Sequence, residues 1–190
     1  MRQFVVVAHD APTEPEFSLD DLPGAGRLDL LARAVADALL VSHDIRTDSR
    51  VHAVLDDTFT VTVDGATVRN LRPDERSTAA LLRTALKARD EAVGAMAADA
   101  APGVSIRRFG LAPLLDAVDG TVVELHAAGD PIDAASLPDD PVFVLSDHTE
   151  FDDADRTVLD ERATRRVSLG PTALHADQAI TVVHNHLDTR

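Results

Sequence analysis

The C-terminal stretch RRVSLGPTALHADQAITVVHNHLD, residues 165–188, carries a dense set of side chains that could do chemistry. Three of them, His175, His184 and His186, are potential metal ligands or proton acceptors. Residues two apart on a helix point in different directions, so His184 and His186 are poorly placed to hold one ion. No histidine pair has the i,i+4 spacing with a nearby carboxylate that a helical zinc motif needs. The pattern predicts histidines on helix surfaces or at helix caps, and no metal.

Nucleotide and nucleophile motifs do not occur in this sequence. No Gly-x-Gly-x-x-Gly follows the first apolar run, and there is no Walker Gly-Lys-Ser/Thr and no Gly-x-Ser-x-Gly elbow. The PGAGR segment at 23–27 places two glycines near a helix start, but it follows a long loop and is a weak fingerprint. The chain has no cysteine, which excludes disulfides, thiolate ligands and cysteine nucleophiles.

Short apolar runs alternate with helical patterns along most of the chain. We predict strands at 2–9, 50–55, 104–110, 121–127, 141–147 and 165–169. Helices are predicted at 27–41, 112–118 and 153–163, with another inside the segment 170–187. This alternation predicts a single α/β domain, residues 1–190, with a mainly parallel sheet covered on both faces.

The middle of the chain predicts two further elements and a long loop. Residues 59–71, FTVTVDGATVRNL, are typical of a hairpin with Asp64-Gly65 as its turn. Residues 73–100 predict one long helix, since Pro73 and Asp74 lie near its start and Pro102-Gly103 lie beyond its end. Residues 10–26 form a loop of a length that is usually functional or disordered.

Three loops follow the last three predicted strands: LHAAGDPI, LSDHTEF and SLGPTALHADQA. Ligands of α/β sheets bind at the carboxyl ends of the strands, so these loops are the candidate site. The loops are small, apolar and rich in exposed backbone groups, and they contain no basic residue to meet phosphates. Such a lining suits an adenine ring and a sulfonium better than a triphosphate.

The charge balance is unusual. The formal net charge is -15, 26 of the 33 acidic residues are aspartates, and Lys87 is the only lysine. This bias favours adaptation to strong salt, where the Debye length falls to about 3 Å and self-repulsion is screened. The charge does not exclude a nucleic-acid partner, since counterion release fades in strong salt. No apolar run approaches the roughly 20 residues of a membrane span, so a soluble, cytoplasmic protein is expected.

Three segments resemble the archaeal tRNA pseudouridine-54 N1-methyltransferases of the SPOUT superfamily. They are DAPTEPEFSLDDLPGAGRLDLL, LRPDERSTAALL, and FVLSDHTEFDDAD together with SLGPTALHADQAI. The resemblance covers the whole chain in order and implies a haloarchaeon-like member of the family. It implies a sheet whose C-terminal part is threaded into a trefoil knot, S-adenosylmethionine as methyl donor, tRNA as substrate, and a homodimer.

The resemblance also implies which residues contact the cofactor. Carried over by position, they are Leu125, Ser146, Leu169, Gly170, Pro171, Thr172, Ala173, Leu174 and Ala179. His175 would be structural. Many relatives have Gly at the position of Ser146 and Cys at that of Ala179. Contacts made by the backbone tolerate both changes, but the chemistry then cannot require a thiol.

The segment LRPDERS holds the candidate catalytic residues. Arg76 could bind the uracil carbonyls or a phosphate, and Asp74 could accept the N1 proton. Alternatively, Asp74 is a helix N-cap and Arg76 an exposed residue of the first helical turn. Asp21 and Arg27, in the long loop, are further candidates for these roles.

Five more arginines are expected to face RNA, because the guanidinium binds phosphate with two hydrogen bonds and stacks on bases. They are Arg27, Arg72, Arg83, Arg107 and Arg108. Since Arg107 and Arg108 are adjacent in a strand, only one of them can face the same way as the others. The alternative is that these arginines neutralise surface aspartates through local pairs.

Ile180, Val183 and Leu187 form one stripe of the last helix and are candidate dimer anchors, with a purely intrachain core as the alternative. Two other function classes stay open. One is a SPOUT methyltransferase that modifies ribosomal RNA or a ribose 2'-hydroxyl. The other is a non-catalytic RNA-binding or cofactor-sensing module.

Overall fold

A computed structural model of the chain describes residues 1–189. Its strands are β1 (Arg2–Ala8), β2 (Leu40–Val41), β3 (Asp44–Ile45), β4 (Ser49–Leu55), β5 (Phe59–Asp64), β6 (Ala98–Ala101), β7 (Val104–Arg107), β8 (Thr121–Pro131), β9 (Pro141–Ser146) and β10 (Arg165–Ser168). Its helices are α1 (Leu28–Leu39), α2 (Glu75–Lys87), α3 (Leu111–Ala117), α4 (Asp153–Arg162) and α5 (Ala176–Asp188). Among these described residues, no helix is long and apolar enough to cross a bilayer.

Eight strands form one sheet in the order β10-β8-β9-β1-β4-β5-β7-β6. The strands from β10 to β4 pair in parallel, whereas β4, β5, β7 and β6 pair antiparallel. The predicted parallel sheet is therefore confirmed, with an antiparallel extension at one side. Because parallel strands end at the same edge, the carboxyl ends of β1, β8, β9 and β10 lie along one side of the molecule.

Helices cover both faces of the parallel half. In β1, Phe4 and Val6 point into one core with α1, α2 and α5, while Val5 and Val7 point into a second core with α3 and α4. Successive side chains of a strand alternate between faces, which explains why this strand is apolar throughout. The helix predicted at 27–41 is α1, and it ends at Leu39 because β2 pairs with β3.

The hairpin predicted at Asp64-Gly65 is wrong. β5 does pair with a neighbour through a tight turn, but the turn is at residues 56–58, where Asp56 and Asp57 take positive φ. Asp64 Oδ1 accepts a hydrogen bond from Ala66 N, and the chain then leaves the sheet. The second neighbour of β5 is β7, which comes from far along the chain.

The helix predicted over residues 73–100 is also wrong in its second half. α2 ends at Lys87, a 3₁₀ turn occupies Arg89–Glu91, and residues 98–101 form strand β6. The alanine-rich composition favours a helix locally, but β6 gains backbone hydrogen bonds by pairing with β7. Pro102-Gly103, predicted to follow the helix, forms the turn of this hairpin, with Gly103 at a φ of 72°.

Helix α5 packs on α1 inside the chain. Ile180 and Val183 are completely buried in the first core, and Leu187 packs against it. The stripe expected to anchor a dimer is therefore an intrachain core element, at least for Ile180 and Val183. The same packing buries His184, so the prediction that it lies on the helix surface or at a cap is wrong.

His184 links both ends of the chain. Its ring meets that of Phe4 edge-on, its Nε2 lies 3.1 Å from the carbonyl oxygen of Ala38, and its Nδ1 lies 3.1 Å from the Arg2 guanidinium. A carbonyl needs a donor and a guanidinium needs an acceptor, so the ring is neutral with its proton on Nε2. Burial lowers the pKa of His184 to about 4, and Arg46 and Arg2 add repulsion.

A second histidine is buried in the sheet. His52 Nδ1 lies 2.9 Å from the Thr62 hydroxyl and its Nε2 lies 3.1 Å from Gln3 Oε1. Burial lowers the pKa of His52 to about 3. Both histidines therefore favour the folded chain only while they remain neutral.

Acidification should destabilise the protein through these two groups. Their folded-state pKa values lie below the ordinary value of 6.5, so the stabilisation is present above pH 6.5 and is lost as the pH falls toward about 4 for His184 and about 3 for His52. Each unit of difference corresponds to about 1.4 kcal/mol, which gives His184 a share of roughly 3 kcal/mol. Denaturant unfolding across this pH range, at constant strong salt, measures the loss.

The variant His184→Gln isolates one histidine. It should lose about half of the pH dependence between pH 6.5 and 4, whereas His43→Gln, in the exposed turn between β2 and β3, should keep all of it. Equal pH dependence in His184→Gln and the parent would contradict the assignment.

Candidate functional site

A bulged segment inside β8 and the loops that follow β9 and β10 line a cavity of about 270 Å³ at the carboxyl edge of the sheet. Its walls come from these loops and from the first turns of α4 and α5. The lining residues are Leu125, His126, Ala127, Leu145, Ser146, Asp147, Glu150, Phe151, Arg156, Leu169, Gly170, Thr172, Ala173, Leu174, Ala176 and Ala179. Most of them are small or aliphatic, which makes the cavity a site for a mainly apolar group.

The first loop arises from a break in the ladder between β8 and β10. Arg165 and Arg166 pair with Val123 and Glu124, but the next residue, Val167, pairs with Asp130. Residues 125–129 are thus pushed out of the ladder toward the cavity. A Cβ on Gly129 would lie 2.5 Å from the backbone nitrogen of Val167, so only glycine fits at this crossing.

The third loop returns toward α5 through Gly170, whose φ is 122°. The Ser168 hydroxyl accepts a hydrogen bond from Gly170 N at 3.2 Å and fixes the turn. At the far end, His175 is the N-cap residue of α5, and its backbone nitrogen donates to Gln178 Oε1 at 3.0 Å. The structure therefore gives His175 a position at a helix cap, as the sequence predicts.

Of the nine residues expected to contact a cofactor, eight line this one cavity. They are Leu125, Ser146, Leu169, Gly170, Thr172, Ala173, Leu174 and Ala179. Pro171 belongs to the same loop but does not contribute to the lining. The assignment of these residues to the cofactor remains a proposal, and the structure establishes that they come together.

Charged side chains at the cavity were missed by the sequence reasoning. Asp147 directly follows the predicted Ser146, and Glu150 and Arg156 come from the same loop and from α4. Arg156 donates to the carbonyl oxygen of Phe151 at 3.1 Å and pairs with Glu150 at 3.3 Å. A basic residue thus reaches the cavity from a helix, although the loops themselves contain none. Asp147 could have been identified from the sequence, because it is the last residue of the strand predicted at 141–147 and belongs to the motif LSDHTEF.

A chain of side-chain hydrogen bonds runs behind the cavity wall, from His148 to Asp155. Asp147 Oδ2 lies 3.0 Å from His148 Nδ1, and Asp147 Oδ1 accepts from the backbone nitrogen and hydroxyl of Thr149 at 3.1 and 3.2 Å. The same hydroxyl lies 3.0 Å from His9 Nδ1, and His9 Nε2 lies 2.5 Å from Asp155 Oδ2. The chain joins the ends of β1 and β9 to the start of α4.

His9 sits between two acceptors. Burial alone would lower the pKa of His9, but the hydrogen bond to Asp155 and the nearby carboxylates of Asp155, Asp147 and Asp152 raise it. Because the Thr149 hydroxyl donates to Asp147 Oδ1, both ring nitrogens of His9 are donors and the ring is an imidazolium. This ion pair fixes the β9–α4 loop against β1.

His9, Asp152 and Asp155 also offer oxygen and nitrogen atoms that lie within 4.8 Å of one another. These atoms already bond to protein groups. Asp152 accepts from Asp155 N at 2.8 Å, and Asp155 accepts from Asp152 N at 3.1 Å and from His9. The arrangement is a reciprocal N-cap of α4 with a histidine added. The prediction that the protein needs no metal stays a prediction.

The proposed catalytic residues lie at the start of α2 and do not line the cavity. Asp74 is the N-cap of α2, and its carboxylate accepts a hydrogen bond from Ser77 N at 2.7 Å. That hydrogen bond lowers the pKa of Asp74. Arg76 is exposed and contacts the Asp20 carboxylate and, at 3.3 Å, the carbonyl oxygen of Leu19. Asp74 thus has the N-cap position that the alternative expects, and its role as proton acceptor stays a prediction.

The predicted RNA-facing arginines lie in different environments. Arg27 binds Asp29 with two hydrogen bonds of 3.0 Å, whereas Arg72 is exposed and Arg83 half-buried. Arg108 stacks over the Phe59 ring at 5.1 Å, and Arg107 points into a separate polar cleft with Arg50. Arg107 and Arg108 thus have different surroundings, and the prediction that only one of them faces RNA with the other arginines stays a prediction. The Arg27–Asp29 pair is one of the local pairs that the alternative expects.

Fold and cavity together define an α/β protein with an apolar pocket at the carboxyl edge of its sheet, the usual place for a cofactor in such folds. Residues 1–190 match a family described as "Putative SAM-dependent RNA methyltransferase". The chain belongs to this family of S-adenosylmethionine-dependent RNA methyltransferases.

Relatives within the family are similar over the full length of the chain. The chain is 59% identical over 192 residues to the tRNA (pseudouridine(54)-N(1))-methyltransferase of Haloarcula marismortui, covering 100% of this chain and 97% of that protein. The protein of the same name from Haloferax volcanii is 57% identical with the same coverage. That of Methanocella arvoryzae is 43% identical over 195 residues, covering 100% of both chains.

A solved structure has the same fold. The crystal structure of Archaeoglobus fulgidus Nep1 bound to S-adenosylhomocysteine matches with a TM-score of 0.70, covering 98% of this chain and 96% of that chain. The sequences are 14% identical, so this likeness concerns the fold alone.

The substitution Leu169→Asp should abolish S-adenosylmethionine binding, because it places a carboxylate in the apolar wall of the cavity. Leu169→Met is the matched control and should bind within a few-fold of the parent, since it keeps an apolar side chain of similar volume. Titration calorimetry in strong salt and chelator measures both. Retained binding by Leu169→Asp would place the cofactor elsewhere, and a need for added metal would contradict the metal-free prediction.

Proposed function

We propose that this protein transfers the methyl group of S-adenosylmethionine to N1 of pseudouridine 54 in the T-loop of tRNA. The observation that carries the proposal is full-length similarity, at up to 59% identity, to relatives that bear this activity in their names. The cavity supports it, because eight residues expected at the cofactor come together there.

The chemistry fits an apolar pocket. Pseudouridine is joined to its ribose through carbon, so N1 keeps a proton and can react. Methyl transfer displaces sulfur in line, and the cationic sulfonium becomes a neutral thioether. Much of the rate can come from alignment of N1 with the methyl group, because a positioned pair reacts as if at very high concentration.

The fold proposal is a SPOUT methyltransferase with a C-terminal trefoil knot. The abrupt change of register between β8 and β10 supports it, since five residues of β8 are displaced where β10 passes Gly129. Threaded connections are rare in proteins, so no general rule of sequence predicts one here.

We also propose a homodimer. Since Ile180 and Val183 belong to the intrachain core, the contact must use other apolar residues. Leu174, at the cavity, and Val182, on the outer side of α5, are each more than one third exposed. They support an interface beside the cofactor site.

The cell compartment proposed is the cytoplasm, where tRNA is modified, and the growth condition proposed is strong salt. The aspartate-rich composition and the single lysine support salt adaptation. Methylation assays therefore belong in molar potassium chloride, where exposed charge pairs are screened.

The substrate proposal predicts a sharp difference between two RNAs. A T-loop RNA with pseudouridine at position 54 should accept a methyl group, and the same RNA with uridine should accept none, because N1 of uridine is already bonded to ribose. Mass spectrometry of digested nucleosides identifies the product as 1-methylpseudouridine. Methylation of the uridine RNA would instead favour a ribose 2'-hydroxyl as target, and cofactor binding without any methylation would favour a non-catalytic module.

Arg76 is proposed to contact the substrate RNA. Arg76→Ala should lower methylation of the pseudouridine RNA at least about tenfold, equivalent to about 1.4 kcal/mol in the transition state, while folding and cofactor affinity persist. Arg162→Ala is the matched control, because Arg162 pairs with Asp116 between α3 and α4, and it should keep full activity. If Arg76→Ala and Arg162→Ala methylate the RNA at the same rate, Arg76 does not contact the substrate and is only a surface residue paired with Asp20.

A further inference from the structure

We propose that His148, oriented by Asp147, accepts the proton that leaves N1 of pseudouridine during methyl transfer. This inference rests on the proposed function and deepens it, because it names the base of the reaction. It rests on the hydrogen bonds among side chains that follow the ends of β1 and β9.

The carboxylate of Asp147 is held rigidly. Its side chain is only 3% exposed, and its Oδ1 accepts two hydrogen bonds from Thr149. Its backbone nitrogen donates to the carbonyl oxygen of Val7 at 3.0 Å, which extends the β9–β1 ladder to this residue. Only Oδ2 is left for His148 Nδ1, at 3.0 Å. A buried carboxylate on Nδ1 fixes the tautomer that leaves Nε2 as the acceptor.

The residues that support the Asp147–His148 pair are also held in place. Thr149 is held by His9, and His9 by Asp155 at the start of α4, so three side chains set the position of the Asp147 carboxylate. Catalytic groups need such support, since small displacements of a base weaken proton transfer. A lone surface histidine would not require it.

His148 lies at the rim of the cofactor cavity. Asp147, which precedes it, and Glu150, two residues after it, line the cavity, and the side chain of His148 is 21% exposed. Asp10 Oδ2 lies 3.4 Å from His148 Nε2. That distance is longer than a usual N–H···O hydrogen bond, and Asp10 is 62% exposed. A substrate group can therefore approach Nε2 from solvent.

The proposed step balances. The N1 lone pair forms the bond to carbon while the sulfur–carbon bond breaks, and its electron pair stays on sulfur. The N1 proton moves to His148 Nε2. The imidazolium that results lies between the carboxylates of Asp147 and Asp10, which stabilise it, and it then releases the proton to water. Asp74, the earlier candidate, is a weaker base because its N-cap hydrogen bond lowers its pKa.

The test is single-turnover methylation of the pseudouridine RNA at saturating cofactor. His148→Asn should lower the rate about a hundredfold, the usual scale of general base catalysis, and should keep cofactor affinity within about twofold. His43→Asn, in the exposed β2–β3 turn, is the control and should keep the full rate. Asp147→Asn should also lower the rate, and combining it with His148→Asn should lower the rate little further, because the two residues act as one unit.

The pH profile separates a base from a structural residue. The parent rate should rise with pH through one ionisation and then level off, and this dependence should vanish in His148→Asn. The groups that face the ring are Asp147 and Asp10, with His9 and Asp155 behind Thr149. A parent rate that does not change between about pH 5 and 9 overturns the proposal even if the variant does not fold.

Other results also overturn the inference. One is a His148→Asn rate equal to that of the parent. Another is weaker cofactor binding with an unchanged rate at saturation, which would make the Asp147–His148 pair a cofactor contact. A parent protein that does not methylate pseudouridine RNA defeats the proposed function and this inference with it, whereas the first two results leave the proposed function intact.

Discussion

The close passage of β10 over Gly129 is the constraint on which the site depends. Because no side chain stands at position 129, the backbone of Val167 can approach and take its place in the ladder opposite Asp130. Residues 125–129 must then leave the sheet, and Ile132 N returns to bond Ser168 O at 2.9 Å. One missing Cβ thus brings the first and third loops together, and β9 supplies the second loop between them.

The charged side chains of this protein interact mainly in local pairs, despite the large overall negative charge. The net charge is -15, yet the arginines described contact aspartates or carbonyl oxygens at many points, as in Arg27–Asp29 and Arg162–Asp116. Strong salt screens exposed pairs such as Arg76–Asp20 far more than partly buried ones. The His9–Asp155 and His148–Asp147 contacts each contain a nearly buried carboxylate, so they persist under conditions that weaken the surface pairs.

The parallel half of the fold could be predicted from the sequence, and the antiparallel extension could not. Apolar runs such as Val5–Val7 mark strands with both faces buried, and loops after such strands meet at one edge. Residues 98–101 carry the opposite signal, because alanines favour helix locally while their strand state depends on β7 as a partner. The turn at Asp56–Asp57 was missed for a related reason, since Asp64-Gly65 is the stronger local turn signal.

The residues that line the cavity could be predicted as a set from the sequence. The pairing of His148 with Asp147 could not. Ser146 and Leu169 lie at the ends of β9 and β10, a position that is visible in the sequence, whereas Leu125 lies at the register break inside β8. His148 stands among other polar residues, and only the fold reveals that a buried carboxylate orients it and that His9 supports that carboxylate from another strand. Ala179 lines the cavity with no reactive group. The protein's own contribution to the reaction must then lie in alignment of N1 with the methyl group and in removal of the N1 proton, and the strand-end loops are built to do both.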